Sequence, residues 1–225
     1  CGQKTLAVLK EQLMYDNPKS VAAIIIEPVV GTNGIVIPPK SYMKGLRQLC
    51  DENGILLIID EVMAAWGRAG KWFCIEHFDI QPDILTTAKG ITSGYVQLGA
   101  TIWTKKIWDF FQERKFASGL TYCGHALACA CGIANIEVYK KENLIQKAAE
   151  NGEYLKKKLK ELEKKHPSVG DTRCIGLWAC IELVADKKTK APLAGYADCI
   201  RNVSGQLSKI FMENNLYLYC NWDYI

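Results

Sequence analysis

The sheet of this protein is predicted by two stretches, ILLIIDEVMAAWGRAGKW at residues 55–72 and DILTTAKGITSGYVQLG at residues 83–99. The first opens with five consecutive Ile or Leu residues, a run that favours a strand buried on both faces of a parallel sheet. The second opens with a shorter apolar run that predicts another buried strand. Asp60 and Glu61 follow the first strand, and Lys89 follows the second. Because the carboxyl ends of parallel strands share one edge, we expect a carboxylate and an amine to converge on one crevice.

Each of these polar groups also has an ordinary structural interpretation. An Asp-Glu pair after a strand often caps a helix and lies in a solvated turn. A single lysine before a glycine is usually a surface residue, because lysines are rarely buried. Taken one at a time, Asp60, Glu61 and Lys89 therefore leave both interpretations open.

Three segments together resemble the signature of the class III aminotransferases: Leu57-Ile58-Ile59-Asp60-Glu61-Val62, Gly67-Arg68-Ala69-Gly70 and Ala88-Lys89-Gly90-Ile91-Thr92-Ser93-Gly94. The resemblance implies pyridoxal 5'-phosphate (PLP) as the cofactor. It also implies fold type I of the PLP-dependent transferases. That fold is α/β, with a mainly parallel sheet, flanking helices and a smaller α+β C-terminal domain.

PLP chemistry sets three requirements, and the signature offers a residue for each. A lysine must bond to the cofactor aldehyde and be able to lose its proton, and Lys89 at a strand end fits. A carboxylate must keep the pyridine nitrogen protonated, because the cofactor works as an electron sink, and Asp60 fits. Val62, two positions further, would pack against the back of the ring. In the family that the chain resembles, the matching positions hold these roles, so Lys89 and Asp60 are the predicted catalytic residues.

Two further assignments follow from the resemblance alone. Gly119-Leu120-Thr121-Tyr122 is similar to the family loop whose threonine reaches the cofactor phosphate of the neighbouring subunit. Thr121 is therefore an expected cofactor ligand, and a homodimer is expected with it; an ordinary loop hydroxyl is the alternative. Glu27, in a Glu-Pro pair after a strand, matches a family residue near the ring, and a buried structural glutamate is the alternative.

The loop after Glu27 bears on the substrates that the resemblance implies. Relatives that use glutamate commonly carry Gly-Glu-Ala-Gly in this loop, whereas this chain has Gly31-Thr32-Asn33-Gly34. With this loop and with Met63 after Val62, the chain resembles the ω-amino acid:pyruvate branch of the family. That resemblance implies an amine donor such as taurine or β-alanine and pyruvate as the keto-acid acceptor.

Periodicity and turn residues predict the remaining elements. Helical periodicity starts almost at once, and strand, loop and helix then alternate as in a parallel α/β layer. The predicted strands are 21–26, 99–104, two within 171–184 around Gly176, and 216–219; the predicted helices are 41–53, ending at Gly54, 107–111, one starting near His125, 143–165 and 197–214.

A change in composition near residue 140 predicts two domains. We assign residues 1–142 to the C-terminal part of the PLP-binding large domain, and residues 143–225 to an incomplete small α+β domain. The chain starts with Cys1, and members of the family it resembles are longer. We therefore expect a fragment that lacks the N-terminal part, with its phosphate-binding turn, and the C-terminal end.

Composition narrows the possible partners and location. The 225 residues have a net charge of +4, and the lysine clusters are interspersed with glutamate on a predicted helix, which favours a solvated face over a nucleic-acid site. No apolar run is long enough to span a membrane. The 10 cysteines form no CxxC pair, and with 3 histidines they support no metal site. Reduced thiols favour a cytoplasmic location.

Three hypotheses remain from the sequence. The first is transamination between an ω-amino acid or amine and a keto acid such as pyruvate. The second is another class III reaction, namely an aminomutase or a decarboxylating transaminase, which would share the cofactor site. The third is a non-catalytic fragment that serves as a dimerisation or binding module.

Overall fold

A computed structural model describes residues 2–194, 202–221 and 224–225. The chain forms two compact units: the first contains the chain up to Val29 together with Ile37–Ala148, and the second contains Val30–Val36 and the chain from Ala149 onwards. The domain assignment of 1–142 and 143–225 made from the sequence stays a prediction.

The first unit is built on a four-stranded sheet in the order β1-β2-β3-β4. Strands β1 to β3 are parallel and β4 runs antiparallel to β3. The elements are α1 (Gly2–Asp16), β1 (Ala23–Ile26), α2 (Lys40–Asn53), β2 (Leu56–Asp60), β3 (Ile84–Thr87), β4 (Ala100–Trp103), α3 (Lys105–Gln112), α4 (Ala126–Lys141) and α5 (Leu144–Lys165), which continues into the second unit; 3-10 turns cover Pro18–Ser20, Cys74–Phe78 and Lys89–Ile91.

Helix α2 shows how local sequence sets these elements. Met43, Leu46 and Leu49 recur at helical spacing and are buried. Gly54 ends the helix with a left-handed φ of 67°, a conformation that glycine adopts at little cost. The half-buried Arg47 then ties the helix to the sheet, because its Nη1 lies 2.7 Å from Asp83 Oδ2, which also accepts the Leu57 N–H.

The sheet is buried on one face only among the described residues. Leu57, Ile59, Leu85 and Thr87 lie on the buried face. The other face carries Ile58 and Ile84, which are half-buried, and Ile25, which is 63% exposed. The expectation that the strand is buried on both faces is therefore wrong for this chain. An apolar run shows that the side chains are hydrophobic, but it does not show how much protein covers each face of the sheet.

The second unit contains an antiparallel sheet of β5 (Val169–Ile175), β6 (Trp178–Asp186) and β7 (Ala191–Pro192), and the helix α6 (Val203–Glu213). Strands β5 and β6 flank Gly176 as predicted. The start predicted for the last helix, at residue 197, lies outside the described residues. The strand predicted at 216–219 is wrong, because this segment has no regular structure and the nearby bridges join Tyr224 to Glu182 and Asn221.

Within the described ranges, no helix combines the length and the hydrophobicity that crossing a bilayer requires.

Candidate active site

The carboxyl ends of β1, β2 and β3 meet at one edge of the sheet and carry three of the predicted site residues. Ile26 pairs with Ile59, so Glu27 follows β1 at the level of Asp60, the last residue of β2. Asp60 in turn pairs with Thr86 of β3. Lys89 follows three positions later. Strand register alone therefore brings Glu27, Asp60 and the start of the Lys89 turn to the same edge.

Asp60 is half-buried, and one of its carboxylate oxygens is already engaged. Oδ1 accepts the backbone N–H of Val62 at 2.9 Å, which also fixes the half-buried Val62 next to the carboxylate. Oδ2 has no hydrogen-bond partner among the described residues. This oxygen is therefore available to accept a hydrogen bond from a ligand.

Glu61 is fully buried and holds a distant turn against the end of β2. Its two oxygens accept the backbone N–H groups of Cys74 at 3.0 Å and Ile75 at 2.7 Å. Burial raises the pKa of Glu61 to about 7, and the two N–H donors only partly offset that rise. The structural alternative for Glu61 after a strand is a helix cap in a solvated turn, and its burial contradicts that alternative. Its partners lie 13 and 14 residues away, and no local pattern points to them.

Lys89 begins the turn Lys89–Ile91 with a left-handed φ of 43°. Its side chain is exposed, and its amine has no ion pair or hydrogen bond among the residues described here. Lys89 lines a cleft of about 460 Å³ with Ala88, Thr92, Gly94, Val96, Gln97, Leu98 and Gly99. Asp60 is not among the lining residues, so the shared cavity for Asp60 and Lys89 stays a prediction.

The other two predicted residues have different surroundings. Thr121 lies in an exposed turn between α3 and α4, where Cys123 N–H donates to Leu120 O at 3.0 Å. Glu27 is half-buried directly before the buried Pro28. The exposed Thr121 is accessible to another molecule, whereas Glu27 belongs to the sheet edge itself.

The sequence matches the family described as "Aminotransferase class-III" over residues 2–208. A taurine–pyruvate aminotransferase from Bilophila wadsworthia is 38% identical over 234 residues, which cover 97% of this chain and 51% of that protein. A diaminobutyrate–2-oxoglutarate transaminase from Halomonas elongata is 40% identical over 215 residues, which cover 93% of this chain and 45% of that protein.

The fold is similar to that of solved structures as well. A taurine:2-oxoglutarate aminotransferase from Bifidobacterium kashiwanohense, in complex with PLP and glutamate, is 42% identical, with a TM-score of 0.94. The match covers 100% of this chain and 50% of that one. The predicted α/β fold is therefore confirmed, and the chain spans about half the length of the relatives it matches.

Proposed function

The chain belongs to the class III aminotransferases, which use PLP, and from that premise we propose that the full-length protein transfers an amino group from an amine donor to a keto acid. The observation that carries the proposal is the placement of Asp60 and the Lys89 turn after neighbouring parallel strands, at one edge of the sheet. Open α/β sheets bind their ligands at that edge.

The residues at this edge fit PLP. The amine of Lys89 has no competing partner among the described residues, so it is free to react with an aldehyde. Asp60 Oδ2 is likewise available for a protonated ring nitrogen, because only Oδ1 is used by the backbone.

Each residue then has a distinct task. When bound, PLP draws electrons from the amino-bearing carbon of the donor and makes the proton there acidic. Lys89 Nζ would remove that proton as a base and then, as an acid, donate it to the aldehyde carbon of the cofactor. Asp60 Oδ2 keeps the ring nitrogen protonated, and Val62 packs against the ring. Glu27 orients polar groups around the ring.

Thr121 completes the site in the neighbouring subunit of a homodimer. Its exposed turn supports this role, because a hydroxyl on the surface can reach the phosphate of another subunit. The proposed partners are thus a second copy of the chain, an amine donor and a keto acid, with a cytoplasmic location.

For the substrates, we propose an ω-amino acid or amine of the taurine or β-alanine type and pyruvate. The loop Gly31-Thr32-Asn33-Gly34, which lacks an acid, supports pyruvate as the acceptor. The similar enzyme from Bifidobacterium kashiwanohense is named for 2-oxoglutarate, which makes that acid the second candidate acceptor.

Replacement of Lys89 by alanine tests the proposal. We expect Lys89→Ala to lose the absorbance band of lysine-bound PLP and to lower transamination by about 10³-fold, within the range of general acid–base catalysis. Lys106→Ala is the matched control, because Lys106 is also exposed and has no ion pair among the described residues. Retained transamination by Lys89→Ala would refute the role of Lys89.

A panel of donors with pyruvate and with 2-oxoglutarate then separates the hypotheses. Turnover of taurine or β-alanine with pyruvate supports the proposed substrates, and turnover with 2-oxoglutarate alone contradicts the choice of acceptor. A PLP band without transamination of any donor would indicate an aminomutase, and transamination accompanied by release of carbon dioxide would indicate a decarboxylating transaminase. A full-length protein with no PLP band would be a non-catalytic dimerisation or binding module.

A further inference from the structure

The carbonyl group of Gly90, the residue after Lys89, is held by side chains of a helix more than 40 residues away. Gly90 O accepts a hydrogen bond from Asn135 Nδ2 at 2.8 Å and another from the Tyr139 hydroxyl at 3.0 Å. Asn135 Nδ2 also donates to Ile91 O at 3.1 Å. Asn135 and Tyr139 are spaced i and i+4 on α4, so they lie on one face of the helix.

The amide of Asn135 is itself oriented by a third contact. The Ser93 hydroxyl donates to Asn135 Oδ1 at 3.0 Å. Because the amide oxygen accepts from Ser93, the amide nitrogen is directed at the two backbone carbonyls. The assignment of nitrogen and oxygen in this amide therefore agrees with all three partners.

The backbone at Lys89 requires such support. Its φ of 43° lies in the left-handed region, which an L-residue with a Cβ atom adopts at a cost of roughly 1–3 kcal/mol. Within the turn, Ile91 N–H donates to Ala88 O at 3.1 Å, whereas the bonds from Thr92 N to Lys89 O at 3.3 Å and from Ser93 N to Gly90 O at 3.4 Å are longer. The three bonds from α4, at 2.8–3.1 Å, therefore add to the one bond of similar length within the turn and help to hold this conformation.

Trp66 packs against the Cα atom of Gly90. A Cβ atom at Gly90 would lie 2.7 Å from Trp66 Cβ, so only glycine fits there. Trp66 Nε1 donates to Thr87 Oγ1 at 2.8 Å, and its ring stacks on Tyr139 with centroids 6.3 Å apart. The tyrosine that holds Gly90 O is thus fixed by the residue that packs against Gly90.

We propose that Asn135 and Tyr139 are positioning residues that hold the backbone after Lys89 and thereby direct its amine toward the cofactor aldehyde. This inference rests on the proposed role of Lys89. It assigns to α4 a function that the small and apolar residues of this helix do not suggest.

The test measures the reaction of Lys89 itself. The full-length protein, freed of cofactor, is mixed with PLP, samples are trapped with borohydride over time, and peptide mass spectrometry measures modification of Lys89. The exposed Lys106, measured in the same samples, is the internal reference. Tyr139→Phe removes only the hydroxyl, and Asn135→Asp keeps the acceptor for Ser93 but loses both N–H donors.

We expect Tyr139→Phe to slow the modification of Lys89 about fivefold, the effect of losing one hydrogen bond, with Asn135→Asp slowed more than that. Ser93→Ala should slow the modification in the same direction but less. Because Ser93 is exposed, this variant still tests the inference if Asn135→Asp does not fold. Tyr154→Phe and Asn151→Asp, both exposed positions on α5, are the matched controls and should match the wild type.

The outcomes separate the inference from the proposed function. Unchanged modification of Lys89 in all three variants, with a wild type that reacts at Lys89, overturns the positioning role alone. A wild type that shows no preference for Lys89 over Lys106 overturns the proposed function and the inference together. Slower modification at Lys106 as well as at Lys89 indicates a general structural effect and also overturns the positioning role.

Discussion

Replacement of Glu61 by glutamine should change how the stability of the protein depends on pH. Glu61 is fully buried, and the groups that act on its charge are the two N–H donors of Cys74 and Ile75 and the carboxylates of Glu76 and Asp60. Desolvation is the largest effect on the carboxylate, and it raises the pKa of Glu61 from 4.5 to about 7.

The sign and the size of the effect follow from this shift. Between pH 4.5 and about pH 7 the folded protein keeps a proton on Glu61 that the unfolded chain has released. Stability from this group is therefore fully present below pH 4.5 and is lost as the pH rises to about 7. At 1.36 kcal/mol per pH unit, the loss is about 3 kcal/mol. Glutamine has no proton to lose, so Glu61→Gln should not show it.

Urea unfolding between pH 4.5 and pH 8, followed by tryptophan fluorescence, measures this difference. The wild type should lose about 3 kcal/mol more than Glu61→Gln across that range. The comparison is independent of the constant cost of the substitution, since that cost is present at each pH. Glu113→Gln is the control, because Glu113 is exposed, and it should follow the wild type.

Parallel curves of stability against pH for the wild type and Glu61→Gln would refute the reasoning. A wild type that gains stability with rising pH relative to the variant would show that the N–H donors outweigh burial.

Two further substitutions test contacts inside the units, one in the first unit and one in the second. Arg47→Ala should lower the free energy of unfolding by about 2 kcal/mol, because it leaves the half-buried carboxylate of Asp83 without its cation. Lys105→Ala, which breaks an exposed ion pair, should lower it by less than about 0.5 kcal/mol. Urea unfolding measures both values, and equal losses for the two variants would contradict the prediction. Gly152→Ala should lower the stability of the fold by about 1–3 kcal/mol, because the new Cβ would lie too close to a backbone carbonyl oxygen in the β5–β6 turn. Gly119→Ala is the control, because a Cβ atom there has open space. Thermal melts that do not distinguish the two variants would disprove the close contact at Gly152.

Most of the secondary structure could be predicted from local patterns. The helix before Gly54 was predicted within one residue of its observed start, since apolar spacing and a C-terminal glycine act over a few residues. The segment 216–219 shows the limit of such patterns. Its apolar residues are compatible with a strand, but a strand forms only where a partner offers hydrogen bonds, and apolar spacing does not say where a partner lies.

For the candidate site, sequence motifs predict Asp60 and Lys89 as site residues, and the parallel pairing of β2 and β3 brings Asp60 and the start of the Lys89 turn to one sheet edge. The surroundings of these residues depend on the folded chain. Asn135 lies 45 residues from Gly90, and Glu61 lies 13 residues from Cys74. Backbone conformation is governed by neighbours along the chain, whereas a hydrogen bond between distant residues exists only after packing has brought its donor and acceptor within about 3 Å.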